Sequence, residues 1–154
     1  MINEIEKFDE IHHIGESFLG KLEFEENFIV DKGSLLVYKG LKISVKRAEL
    51  LKDSDVFCKM DPYCQIKIGN VVKGTKVSKN SGKTPVWNES FTIDQELDPN
   101  GIVRVEIWDD DTLSDDFCGS FEISLKEIHT SKKNNRLGWY DLFSKKNQQT
   151  GRIH

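Results

Sequence analysis

The chain has 154 residues, 37% hydrophobic and 31% charged, with a formal net charge of −4. This composition supports one globular domain with a real core, and its acidic balance excludes a dedicated nucleic-acid binder, which needs a basic surface to neutralise phosphates. The longest uninterrupted apolar run, Leu35-Leu36-Val37-Tyr38, falls far short of the roughly 18 residues of a membrane span.

Near the N-terminus, Glu4, Glu6, Asp9 and Glu10 stand where a secretory leader would need an apolar stretch, so no signal peptide is expected. Ile5, Phe8 and Ile11 have helical spacing, whereas Leu22 and Phe24 alternate like a strand. Residues 1–39 are therefore read as an N-terminal extension, either a short helix and a strand or a partly ordered lead-in, and residues 40–154 as one domain.

From Leu41 onward short strands follow one another. Leu41, Ile43 and Val45 alternate with Lys42, Ser44 and Lys46, the period of a half-buried strand. Cys64, Ile66 and Ile68 repeat it, and Gly69-Asn70 marks a turn. Phe91 and Ile93, then Val103, Val105 and Ile107, then Phe121, Ile123 and Leu125 continue the pattern. Ser124 to His129 fits one short helical turn, and Leu137 to Phe143 is a further, less regular strand. Many short strands with turn signals between them predict an all-β sandwich or barrel. Cys58, Cys64 and Cys118 are odd in number and lack zinc-site spacing, the pattern of reduced thiols in an intracellular protein.

Two acidic segments each follow a predicted strand: Asp53 to Tyr63, with Asp53, Asp55 and Asp61, and Asp109 to Gly119, with Asp109, Asp110, Asp111, Asp115 and Asp116. Taken singly, each could be a solvated loop. If both emerge at one end of a sandwich, their carboxylates converge. Two such charges about 4 Å apart repel by roughly 4 kcal/mol at an effective dielectric near 20. A hard cation relieves this, and calcium accepts six to eight oxygen ligands. An EF-hand is excluded: the twelfth position from Asp109 is Ser120, and Asp116 falls on the loop-glycine position counted from Asp111. On this reading the metal-free site costs the fold stability, and Asp→Asn changes within it relieve that cost.

Four ordered motifs resemble the C2 domains of the protein kinase C and synaptotagmin type. Asp61-Pro62-Tyr63, with Asp55 six positions earlier, looks like the family's first calcium loop. Pro85 to Phe91 (Pro-Val-Trp-Asn-Glu-Ser-Phe) looks like its middle segment, with Thr84 where an Asn is usual. Val105 to Asp111 followed by Asp116-Phe117-Cys118-Gly119 looks like the third loop, and Gly138-Trp139-Tyr140-Asp141-Leu142 like a closing strand. The resemblance implies an eight-stranded antiparallel Greek-key β-sandwich. Of the family's two circularly permuted topologies, the one whose last strand comes from the C-terminus, at Gly151 to His154, is favoured over one filled by Ser34 to Tyr38. The chain ends as that strand begins, as a piece of a larger protein would.

Carried over position by position, the implied Ca²⁺ ligands are Asp55, Asp61, Asp109, Asp111 and Asp116, with the backbone carbonyls of Met60 and Asp110 as further candidates. The third loop is one residue shorter than the commonest pattern, which leaves Asp115 as an alternative to Asp116; Asp53 is a further candidate in the first loop. Val56, Phe57 and Leu113 lie among these ligands and are read as membrane-inserting, each contributing roughly 1.5–3 kcal/mol if fully buried. Phe57 could instead fold back onto the sandwich. Tyr63, Lys76 and Trp108 match a phosphoinositide groove, with Lys73, Lys79 and Lys83 adding charge, although Gln65 and Asp115 depart from it and a solvated lysine face is the alternative. The implied function is a calcium-dependent module for signalling or membrane trafficking. It would be cytoplasmic and recruited peripherally to anionic phospholipid, phosphatidylserine or a phosphoinositide, once calcium cancels the repulsion of the acidic loops. The alternative is a calcium-independent C2 domain with a protein partner. No Gly-rich phosphate loop, nucleophile elbow or His-Glu zinc motif is found, and the aspartates lack an acid–base partner, so no enzyme is expected.

Overall fold

Residues 24–30, 36–52, 59–133 and 138–154 are described by a computed structural model. Nine strands occur among them: β1 (Phe24–Val30), β2 (Leu36–Leu50), β3 (Pro62–Ile68), β4 (Val71–Gly74), β5 (Val86–Ile93), β6 (Ile102–Asp109), β7 (Asp116–Ser124), β8 (Tyr140–Phe143) and β9 (Gln149–Ile153). One helix, α1 (Leu125–Lys133), joins β7 to β8. Every strand pair is antiparallel. The eight strands β2 to β9 form the expected antiparallel sandwich, and β1 is added along the first half of β2.

The alternation seen in the sequence sets which face turns inward. Leu41, Ile43 and Val45 on β2, Cys64, Ile66 and Ile68 on β3, and Val103, Val105 and Ile107 on β6 all reach the core. Between β3 and β4, Gly69 adopts φ +52°, the left-handed backbone that a two-residue hairpin turn demands. Trp87 is buried from β5, and its indole N–H donates to the Pro62 carbonyl at 3.1 Å, so its one polar atom is satisfied.

β2 serves both sheets. Its residues 41–47 pair with β5, and its residues 48–50 pair with β9. The C-terminal segment thus forms the closing strand, held also by the His154 N–H donating to the Arg47 carbonyl at 2.8 Å. Leu36 to Tyr38 opens β2 and pairs with β1, so it does not fill the closing slot. Two sequence expectations shift at their edges. The single helical turn at 124–129 is a helix of nine residues, because Ser124 and Glu127 form a reciprocal cap: the Glu127 N–H donates to Ser124 Oγ (3.1 Å), and the Ser124 N–H to Glu127 Oε2 (2.9 Å). The closing-motif strand is Tyr140–Phe143, while Leu137 lies outside the described residues, as do Ile5, Phe8, Ile11 and Leu22.

Candidate metal centre at the loop end

The register brings the acidic segments to one end. Pro62 faces Asp109 across β3 and β6, and Asp109 faces Asp116 across β6 and β7. The chain leading into β3 and the β6–β7 loop therefore emerge side by side. The β4–β5 connection joins them: the Ser78 N–H donates to the Pro62 carbonyl (2.8 Å) and the Gly82 N–H to the Met60 carbonyl (3.0 Å).

Asp109 is almost wholly buried, at 1% exposure. Its Oδ1 accepts the Asp61 N–H at 2.7 Å, and the Asp110 N–H donates to the Asp61 carbonyl at 3.1 Å. These two bonds lock the first acidic segment to the third loop. The Asp61 side chain looks toward the β4–β5 connection, where it accepts the Asn80 N–H on Oδ1 and the Lys79 ammonium on Oδ2 at 3.1 Å. Lys79 also donates to Asp110 Oδ2 at 2.7 Å, so one ammonium bridges carboxylates from two segments. The Asn80 amide, assisted by Lys79, holds the Asp61 carboxyl below its usual range against a smaller opposing effect of burial. Asp110 and Asp61 in turn hold Lys79 above the usual lysine range.

Asp115 accepts the Tyr63 hydroxyl on Oδ2 at 2.7 Å and the Asp111 N–H on Oδ1 at 3.3 Å. Burial, then Asp115, pushes the Tyr63 hydroxyl up to about 12. Asp116 opens β7 with its residue exposed. Leu113, at the tip of the third loop, is 98% exposed. Asp53, Asp55, Val56 and Phe57 lie outside the described residues.

The donor set suits a hard cation in kind: carboxylate oxygens from two segments already flank a positive charge. It is not closed around a point, since among the described residues no group of three or more His, Cys, Asp or Glu side chains is arranged to hold a metal. A metal in this place would have to take Asp61 from Lys79.

The proposed lysine groove divides. Lys73 is exposed on β4, Lys76 and Lys83 are exposed on the β4–β5 connection, and Lys79 is drawn to the acidic loops. Tyr63 and Trp108 are paired across β3 and β6, but both donors are spent on carboxylates, Tyr63 on Asp115 and Trp108 Nε1 on Glu106 at 3.0 Å. Glu106 is 5% exposed although its strand position faces outward. Burial acts to raise its carboxyl, but Lys67 (2.8 Å), Arg104 (2.7 Å) and Trp108 together hold it low.

The sequence reading missed Glu106, Asn80 and the destination of Lys79. The run Lys79-Asn80-Ser81-Gly82 signalled a turn, and Asn80 and Gly82 both adopt positive φ, at 55° and 57°, but it did not signal which acids the turn would meet.

Residues 39–142 match the family model of the C2 domain. The chain belongs to the C2 domain family. This C2 domain is 36% identical over 126 residues to the eye isozyme of protein kinase C from Drosophila melanogaster, covering 73% of the chain and 17% of the kinase. It is 35% identical over 117 residues to multiple C2 domain and transmembrane region protein 6 from Arabidopsis thaliana, covering 73% of the chain and 11% of that protein. The chain therefore spans less than a fifth of the length of either relative. Among solved structures, the calcium-bound pair of C2 domains of extended synaptotagmin 2 superposes with a TM-score of 0.62 at 29% identity, covering 75% of the chain and 43% of that structure. The family is one of membrane-targeting and lipid-binding modules on a fold that is typically non-catalytic. No helix among the described residues is long and apolar enough to cross a membrane.

Proposed function

We propose that this C2 domain binds calcium between its acidic loops and thereby docks a larger cytoplasmic protein onto anionic phospholipid. The observation that carries the reading is the joining of Asp61 to Asp109 and Asp110, with a cation already accepted between the Asp61 and Asp110 carboxylates. Asp61, Asp109, Asp111 and Asp116, together with Asp55, would hold the ion; Asp115 is the alternative to Asp116, and Asp53 and the Met60 and Asp110 carbonyls are further donors. When bound, calcium supplies a positive charge that cancels the loops' repulsion from an anionic leaflet. Leu113 is the apolar anchor, and Val56 and Phe57 share that role by their place in the first loop. Lys73, Lys76 and Lys83 act as diffuse charge, each contributing about 1 kcal/mol when close to the surface. A phosphoinositide headgroup would have to displace Asp115 from Tyr63 and Glu106 from Trp108, so phosphatidylserine is the better supported lipid.

The second reading, a calcium-independent module for a protein partner, is favoured by the same ammonium, which already neutralises part of the acidic end.

Sedimentation with phosphatidylserine vesicles separates the two. Calcium-dependent pelleting that Leu113→Ala weakens several-fold, with calcium binding in solution unchanged, is expected. Pelleting irrespective of calcium would overturn the calcium dependence, and no pelleting in either condition would overturn the first reading in favour of the second.

A further inference from the structure

The Lys79 ammonium stands 3.1 Å from Asp61 Oδ2, an oxygen of the proposed calcium set, and 2.7 Å from Asp110 Oδ2, whose side chain is not part of that set. Asp61 differs from it in freedom. Asp61 is fixed by its own N–H on the buried Asp109 and by the Asn80 amide on its carboxylate, and its side chain is 25% exposed. The Lys79 side chain is 60% exposed and hangs from a connection between strands. The carboxylate is anchored, and the lysine can swing out into water without disturbing the core.

We propose that Lys79 is a built-in competitor for the cation seat, so that calcium gains Asp61 and its neighbours only by displacing this ammonium. The proposal rests on the calcium reading above and adds to it a residue that sets the calcium threshold. A compact ammonium and a hard divalent ion seek the same oxygens, and both cannot hold Asp61 Oδ2 at full strength. The competitor is tethered, so it costs no association entropy, and its hold is that of exposed ion pairs, which are individually weak. It raises the calcium concentration needed without closing the site. It also spares the metal-free fold part of the mutual repulsion of its carboxylates.

Calorimetric titration of calcium chloride into the native chain, Lys79→Met and Lys79→Arg, without lipid, tests this. Methionine keeps most of the side-chain length and removes the charge; arginine restores the charge. The expected result is that Lys79→Met binds calcium about three- to tenfold more tightly, the range one or two exposed ion pairs allow, and melts lower in the absence of calcium. Lys79→Arg should return both properties toward the native chain. Tight binding by the native chain with equal or weaker binding by Lys79→Met overturns the competitor and leaves the calcium site standing. No binding by the native chain but binding by Lys79→Met supports the competitor as a lock and overturns calcium switching in the native chain. No binding by either overturns both.

Discussion

Asp61 accepts the Asn80 amide and the Lys79 ammonium on its carboxylate, while its own N–H is held by Asp109. The sequence alone suggested that every acid in the cluster costs the metal-free fold, so that Asp→Asn changes would raise its stability. For Asp61 the sign reverses, because these donors favour the ionised form. Its folded pKa lies below the ordinary 3.8, so its contribution is present above that value and is lost as pH falls through the lower, folded one. Asp61→Asn should therefore be less stable than the native chain at pH 6, and the two should converge as the pH falls below about 4. Urea midpoints measured from pH 6 to pH 3 without calcium check this; a variant more stable than native at pH 6 would restore the simple repulsion picture. The acidic run Asp109 to Asp111 could be placed at the end of a strand because the strand before it is legible. Lys79 could not be placed, since its partners lie 18 and 31 residues away and nothing local announces them. Glu106 was missed for a similar reason: alternation puts it on the outer face, and it is Lys67 from β3 with Arg104 and Trp108 from β6 that hold it there.

At the scale of elements, β3, β6 and β7 were the most legible, because one face of each is apolar and the other polar over five or more residues. The ends were less so. The C-terminal strand begins at Gln149, two residues before the segment singled out in the sequence, because pairing with both β8 and β2 stabilises residues with no apolar pattern of their own. Helix α1 outran its expected single turn because its cap depends on Ser124, the last residue of a strand. Closure of the sandwich rests on β9, where Gly151 pairs with Leu50 of β2. A Cβ at Gly151 would press on the Glu49 carbonyl and stand 3.0 Å from Leu50 Cα, both backbone and unable to turn aside. Gly151→Ala should cost about 1–3 kcal/mol, the usual penalty of overpacking, with hydrogen exchange rising first in β9 and at Ala48 to Leu50. Unchanged stability would mean that β9 is not held against β2 as described.

For the whole molecule, the fold and the family were within reach of the sequence, since four motifs occur in order and the strands between them alternate cleanly. The candidate metal centre was legible only as a convergence of acidic segments: the register does bring Asp61, Asp109 and Asp116 to one end, yet the donors the described carboxylates hold are internal ones. Calcium binding to the folded chain alone adds RT ln(1 + [L]/Kd), about 2.7 kcal/mol at a hundredfold excess over Kd. A chain of this length gains roughly 2–4 °C per kcal/mol. Magnesium, which demands compact octahedral geometry and sheds water reluctantly, should do far less. The most direct test is the melting temperature of the purified chain in millimolar calcium, millimolar magnesium and chelator, with no lipid present. A rise of about 5–10 °C specific to calcium is the predicted result; a melting curve indifferent to calcium would contradict the calcium site.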